Sequence, residues 1–225
     1  MTNTLHRYGD AASFEDDYII FATPSNRRND IDSIPKLKRF LEMALPFRPV
    51  NLGDPVHGGA LRPARNLGPQ SHWNRDMKPD FQAVIDGIDE PASVVAIFDN
   101  RGAAEGFLQA VVDADLGLSV NISTSIKGAE ECCRAAGIPR HSVGYSLGFE
   151  GTTEKLPNTQ VLKLMTMCGH GMISASLAKK MIDWVKEGRR NPQQAVTYMA
   201  RFCSCGVFNP HRAQRIFEEA RKKSE

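Results

Sequence analysis

The chain has 225 residues, 41% of them hydrophobic, with 28 Lys+Arg against 26 Asp+Glu for a formal charge of +2. This is enough to bury a core without staples, and the charge is too small for the basic footprint of a dedicated nucleic-acid binder. No apolar run nears the roughly 20 residues that cross a bilayer, and the polar, acidic start from Met1 to Asp16 is unlike a secretory leader, so a cytoplasmic protein with no membrane partner is expected.

In chain order, Tyr18 to Ala22 is a short β-prone apolar run stopped by Thr23-Pro24-Ser25, which predicts a buried strand. Lys36 to Leu45 carries Leu37, Phe40, Leu41 and Leu45 at helical spacing, and Pro46 and Pro49 end that helix. Residues 52–79 are rich in Gly, Pro, Asn and Asp and show no period, which predicts an irregular lid, binding loop or subunit contact. Self-association is left open. A polar helix is expected around Phe81 to Ile88, a buried strand at Ser93 to Phe98, a helix from Ala103 to about Asp115, a strand at Leu118 to Ile122 and a helix at Lys127 to Ala136. Ser142 to Phe149 and Val161 to Met167 read as two further strands. Alternation of strand and helix predicts βαβ units in an α/β fold with a mostly parallel sheet and flanking helices.

After Val161 to Met167 come a helix with Ile173, Leu177, Met181, Ile182 and Val185 on one face, then two helices opened by Asn191-Pro192 and Asn209-Pro210, an N-cap followed by proline at the first helical position. The reading is therefore one domain: a sheet-and-helix body over 1–160, and over 161–225 a glycine-rich loop and a C-terminal helical cap.

The five cysteines, Cys132, Cys133, Cys168, Cys203 and Cys205, do not form the pattern of a secreted disulfide scaffold, so reduced thiols are expected. Cys132-Cys133 lies in an amphipathic helix and reads as core packing. Cys168-Gly169-His170-Gly171 is different. Read as a strand-to-helix junction, it gives Cys168 and His170 an anion-stabilising helix N-terminus, with Gly169 and Gly171 letting the backbone approach a ligand. Cys203 and Cys205 converge if the chain turns at Gly206. With Cys168 they offer three soft ligands, and His170 or His211 a fourth, which suits zinc or, through three thiolates, a [4Fe–4S] cluster. In a parallel sheet, the loops Ser25-Asn26-Arg27-Arg28 and Asp99-Asn100-Arg101 would share the rim with Cys168. Asn26, Arg27, Asp99 and Arg101 are then candidate binders of a small anionic substrate.

Met167-Cys168-Gly169-His170-Gly171 resembles the Met-Cys-Gly-His-Gly motif of proline racemases and hydroxyproline epimerases, over five residues. The resemblance implies that Cys168 is one of two acid/base thiols and that the loop grips a substrate carboxylate. Cys205-Gly206 is the only remotely similar second thiol. Three functions follow: a metal-assisted lyase or hydrolase on a small anionic metabolite, with Cys168 and His170 catalytic; a metal-free thiol isomerase or epimerase; and a non-catalytic metal-binding or redox-sensing module.

Overall fold

The computed structural model describes residues 5–63, 79–145 and 148–222. Its six strands are β1 (Tyr18–Thr23), β2 (Asn51–Asp54), β3 (Gly58–Gly59), β4 (Arg62–Pro63), β5 (Val94–Phe98) and β6 (Ser119–Ser123). They form one sheet in the order β4-β3-β2-β5-β1-β6. Every neighbouring pair is antiparallel, so the expected mostly parallel sheet is overturned.

The reason lies in the connections. Helix α1 (Ser33–Ala44) joins β1 to β2 and helix α3 (Arg101–Ala114) joins β5 to β6. Each is a strand-helix-strand unit whose two strands run the same way. The units interlock, β5 lying between β1 and β2, and β1 between β5 and β6. This is the split βαβ arrangement, in which local alternation survives and every hydrogen-bonded neighbour comes from the other unit.

Both faces of the sheet are covered. Tyr18, Ile20, Ala22, Leu52, Val94, Ala96 and Phe98 face a core with Leu37 and Phe40 of α1, Phe107 and Leu108 of α3, Val84 of α2 (Phe81–Asp86) and Cys132 of α4 (Ile126–Ala135). Ile19, Val95 and Ile97 face a second core built by α5 (Thr159–Met165), α6 (Ala175–Lys186), α7 (Pro192–Ala200) and α8 (Pro210–Lys222). A strand buried on both faces reads as an unbroken apolar run, the usual mark of a parallel strand. Here that mark comes from two helical layers on an antiparallel sheet.

Two expected strands are absent. Val161 to Met167 lies almost wholly in α5, because Asn158 caps it, its side chain accepting from the Val161 amide at 3.0 Å. Val161 and Leu164 then bury one side of the helix in the second core, and Cys168 joins them from the turn that follows. At Ser142 to Phe149, of which 146–147 lie outside the described residues, there is no strand. Val143, Tyr145 and Phe149 are exposed. The stretch 52–79 is more ordered at its start than its composition suggests: β2, β3 and β4 form a meander from Asn51 to Pro63, and the rest through 78 lies outside the described residues. The helices opened by Asn191-Pro192 and Asn209-Pro210 stand as expected.

Candidate functional site

The helical cap brings Cys168, His170, Cys203 and Cys205 together. Cys168 ends the turn after α5, and Cys203 and Cys205 lie in the turn between α7 and α8. The three thiols are buried, Cys168 at 0%, Cys203 at 1% and Cys205 at 8% exposure, while His170 is exposed. Cys203 Sγ stands 3.7 Å from Cys205 Sγ, and His170 Nδ1 stands 3.2 Å from Cys205 Sγ. Cys203 also interacts with Cys168, whose thiol it lowers. The expected helix N-terminus at Cys168 is corrected: Cys168 follows helix α5, and α6 begins only at Ala175, capped by Ser174.

Two turns of the same shape hold the outer sulfurs. Each cysteine is followed by a glycine in the left-handed region, Gly169 at φ +72° and Gly206 at φ +71°. In each, the amide two residues beyond the cysteine, His170 in one and Val207 in the other, favours the thiolate, as does the Met172 amide at Cys168. Converging amides stabilise a thiolate as they do a bound anion. The Cys168 thiol is lowered to about 6 by its hydrogen bond with Cys203, against burial, with help from these amides and His170. Cys205 is likewise lowered to about 6 by Cys203, against burial, with help from the Val207 amide and His170. The Cys203 thiol is raised by its interactions with Cys168 and Cys205 and by burial.

The turn at Gly206 is seated on the sheet with no room to spare. A Cβ on Gly206 would lie 2.6 Å from Gly53 Cα and 3.1 Å from Gly59 Cα, so three glycine backbones meet. Asn51 of β2 pins the same turn, its buried amide donating to Gly206 O at 2.9 Å and Phe208 O at 3.0 Å. Asn51→Ala is expected to cost roughly 2 kcal/mol, because it strands two buried carbonyls. Urea unfolding followed by circular dichroism measures the loss.

Beside the cluster lies a buried ion group absent from the sequence reading. Asp17 is ion-paired with Arg7 and, at 2.8 Å, with Arg212, and accepts from Asn209 Nδ2 at 2.9 Å. Arg212 and Asp17 are fully buried, and Arg212 Nε has no hydrogen-bond partner among the described residues. Both guanidiniums lie over the Phe14 ring. Two arginines on one carboxylate leave a net positive charge. Arg212 Nη1 reaches Met167 Sδ at 3.9 Å, the residue before Cys168. Nothing in the spacing of Arg7, Asp17 and Arg212 announces this group; only the Asn209 cap at the start of α8 was a legible part of it.

The expected shared rim does not form. The register Tyr18↔Phe98 and Ala22↔Val94 places the carboxyl ends of β1 and β5 at opposite edges of the sheet. Asn26 and Arg27 are exposed at one edge, and Asp99 and Arg101 lie at the other. Arg101 is engaged by Glu131 at 2.7 Å and Glu105 at 3.2 Å. His211, considered above as a ligand, is held by Asp99 Oδ2 at 2.6 Å from its Nδ1. Gly171, at φ +69°, borders open space, whereas Gly169 lies under Leu5. Cys132 and Cys133 are both buried within α4 as expected, and burial pushes the Cys132 thiol up to about 12.

Among the described residues, no group of three or more His, Cys, Asp or Glu side chains is placed so that it could hold a metal ion. Cys203 and His170 instead contact Cys205 directly. No helix among the described residues is long and apolar enough to cross a membrane. No family model, curated protein or solved structure matches the chain.

Proposed function

We propose that Cys168, Cys203, Cys205 and His170 bind one zinc ion, and that this centre fastens the helical cap to the sheet. The observation that carries the reading is the pair of matched Cys-Gly turns, in each of which an amide favours the thiolate, together with a third cysteine that interacts with both. Three thiolates and one imidazole complete the tetrahedron of a structural zinc site. Bonds of about 2.3 Å put sulfurs about 3.8 Å apart along a tetrahedral edge, and Cys203 and Cys205 already stand at 3.7 Å. Side-chain rotation at Cys168 and His170 closes the set around an ion.

Charge supports the same reading. A divalent ion with three thiolates and a neutral imidazole carries one negative charge. The neighbouring Arg7–Asp17–Arg212 group carries one positive charge and touches the cluster through Met167. Uncompensated charge is costly in a core, and each group offsets the other. A [4Fe–4S] cluster suits the donors less well, because its cysteines bind different irons and stand further apart than sulfurs in mutual contact.

Burial of the sulfurs makes the role structural first. His170 is the exposed donor, so a small anionic metabolite would reach the ion by displacing it, and hydrolase- or lyase-type chemistry would sit there. The metal-free isomerase reading, with proton abstraction by Cys168, is weakened by the complete burial of that residue.

Cobalt(II) added to metal-free, reduced protein tests the reading. The expected result is the visible d–d absorption of tetrahedral cobalt together with sulfur-to-cobalt charge transfer, both lost in Cys203→Ser. Cobalt that stays octahedral and pale, with Cys203 and Cys205 recovered as a disulfide in air, would overturn it in favour of a redox thiol module.

A further inference from the structure

We infer a second site, independent of the cysteine cluster: a cleft in which Asp99 and His211 form a proton-accepting pair and Arg48 binds the anionic group of a small organic ligand. The cleft is an open depression of about 570 Å³ between the turn after α1, the start of α3 and the start of α8, with Phe47, Val50 and Ala103 among its apolar walls. That volume falls in the range of small-molecule sites, about 300–1,000 Å³, which combine apolar walls with a few placed polar groups.

The polar groups are placed by the fold. Asp99 follows β5, and both of its carboxylate oxygens are engaged: Asn100 Nδ2 donates to Oδ1 at 3.0 Å, and His211 Nδ1 stands 2.6 Å from Oδ2. Burial raises the Asp99 carboxyl, but the hydrogen bonds from His211 and Asn100 outweigh it and hold it below its ordinary range. A carboxylate at Nδ1 fixes the proton there and leaves Nε2 as the bare acceptor, the orientation a general base needs. His211 itself is set by Asn209, whose Oδ1 accepts from the His211 and Arg212 amides, each at 3.0 Å. Its Nε2 has no partner among the described residues, and the side chain is 57% exposed, open to ligand.

Arg48 supplies the cation. Among the described residues its guanidinium has no hydrogen-bond or ion-pair partner, unlike that of Arg101 nearby. Its backbone sits in the left-handed region at φ +54°, ψ +62°, where a glycine would fit without strain. Strained non-glycine residues gather at functional sites, and here the strained residue is an arginine that lines the cleft.

The ligand these groups recognise carries a phosphate or carboxylate for Arg48, an apolar body for Phe47 and Val50, and a hydroxyl or bound water within reach of His211. In the proton step an O–H bond breaks and the Nε2–H bond forms. The electron pair stays on oxygen, and Asp99 offsets the imidazolium charge until the proton leaves to solvent. No oxidant, reductant or metal takes part.

Side-chain 15N NMR of the protein as purified tests the site, with phenyl phosphate, phenylacetate and inorganic phosphate as separate probes. Free His211 is expected as the Nδ1–H tautomer, a state lost in Asp99→Asn. Phenyl phosphate or phenylacetate is expected to shift Nε2 saturably, the tighter of the two naming the head group, and inorganic phosphate to bind more weakly for want of an apolar body. Arg48→Ala weakens binding by about tenfold or more, worth about 1.4 kcal/mol. Arg48→Gly weakens it equally while raising the melting temperature, which a merely structural arginine would not do. No saturable shift with any probe, or equal affinity in Arg48→Ala, overturns the proposal.

Discussion

Asp17→Asn is expected to destabilise the protein by about 3–5 kcal/mol, the cost of removing one partner from a buried ion pair. Asp17 answers two guanidiniums at once, with Arg7 almost wholly enclosed and Arg212 fully so. Arg7 shows the tension directly: burial lowers it to about 10, with the Asp17 charge working the other way. Asparagine keeps the shape and the contact with Asn209 but leaves two cations facing each other in the core. The urea midpoint should fall with an unchanged slope. Adding Arg7→Met to Asp17→Asn should recover part of the loss, because it removes one of the stranded charges. A loss below about 1 kcal/mol in Asp17→Asn would place the group at the level of a surface pair and remove the charge argument for the metal centre.

Gly206→Ala carries the second large effect, about 3 kcal/mol or more. The left-handed conformation alone costs a residue with a Cβ roughly 1–2 kcal/mol. The new methyl would also press within 2.6 Å of Gly53 Cα, and overpacking of that kind typically adds about 1–3 kcal/mol. Gly188 is the control. It has φ +69° and nothing within 4 Å of an added Cβ, so Gly188→Ala pays the conformational cost alone. The two variants compared by thermal melting separate backbone strain from the glycine contact. On the proposed zinc centre, Gly206→Ala is also expected to lower zinc content, since the turn that carries Cys205 cannot close.

The sequence made some of this legible and hid the rest for identifiable reasons. Apolar runs such as Tyr18 to Ala22, and caps such as Asn191-Pro192, are local signals and led to the right elements. Strand direction is non-local. Nothing within β1 or β5 says that its neighbour comes from the other strand-helix-strand unit, and two-sided burial imitated a parallel sheet. The crowded apolar residues of Val161 to Met167 imitate a strand; the Asn158 cap beside Pro157 is the local sign of a helix.

At the site, the residue types of the Cys-Gly-His-Gly loop and the Cys-x-Cys pair were enough to single out Cys168, His170, Cys203 and Cys205, and the fold brings these four together. The anion-binding rim through Asn26, Arg27 and Arg101 rested on parallel strands and falls with them. The pairing of Asp99 with His211 spans 112 positions, and only the fold reveals it.

The central claim is that the cysteines of the cap hold a metal ion. It is tested most directly by elemental analysis of protein purified under reducing, oxygen-free conditions, alongside Cys203→Ser, Cys205→Ser and Cys132→Ser. About one zinc per chain is expected in the parent and in Cys132→Ser, whose cysteine lies in the opposite core, and little in the other two. Metal-free parent protein, or zinc retained in both Cys203→Ser and Cys205→Ser, would contradict the account.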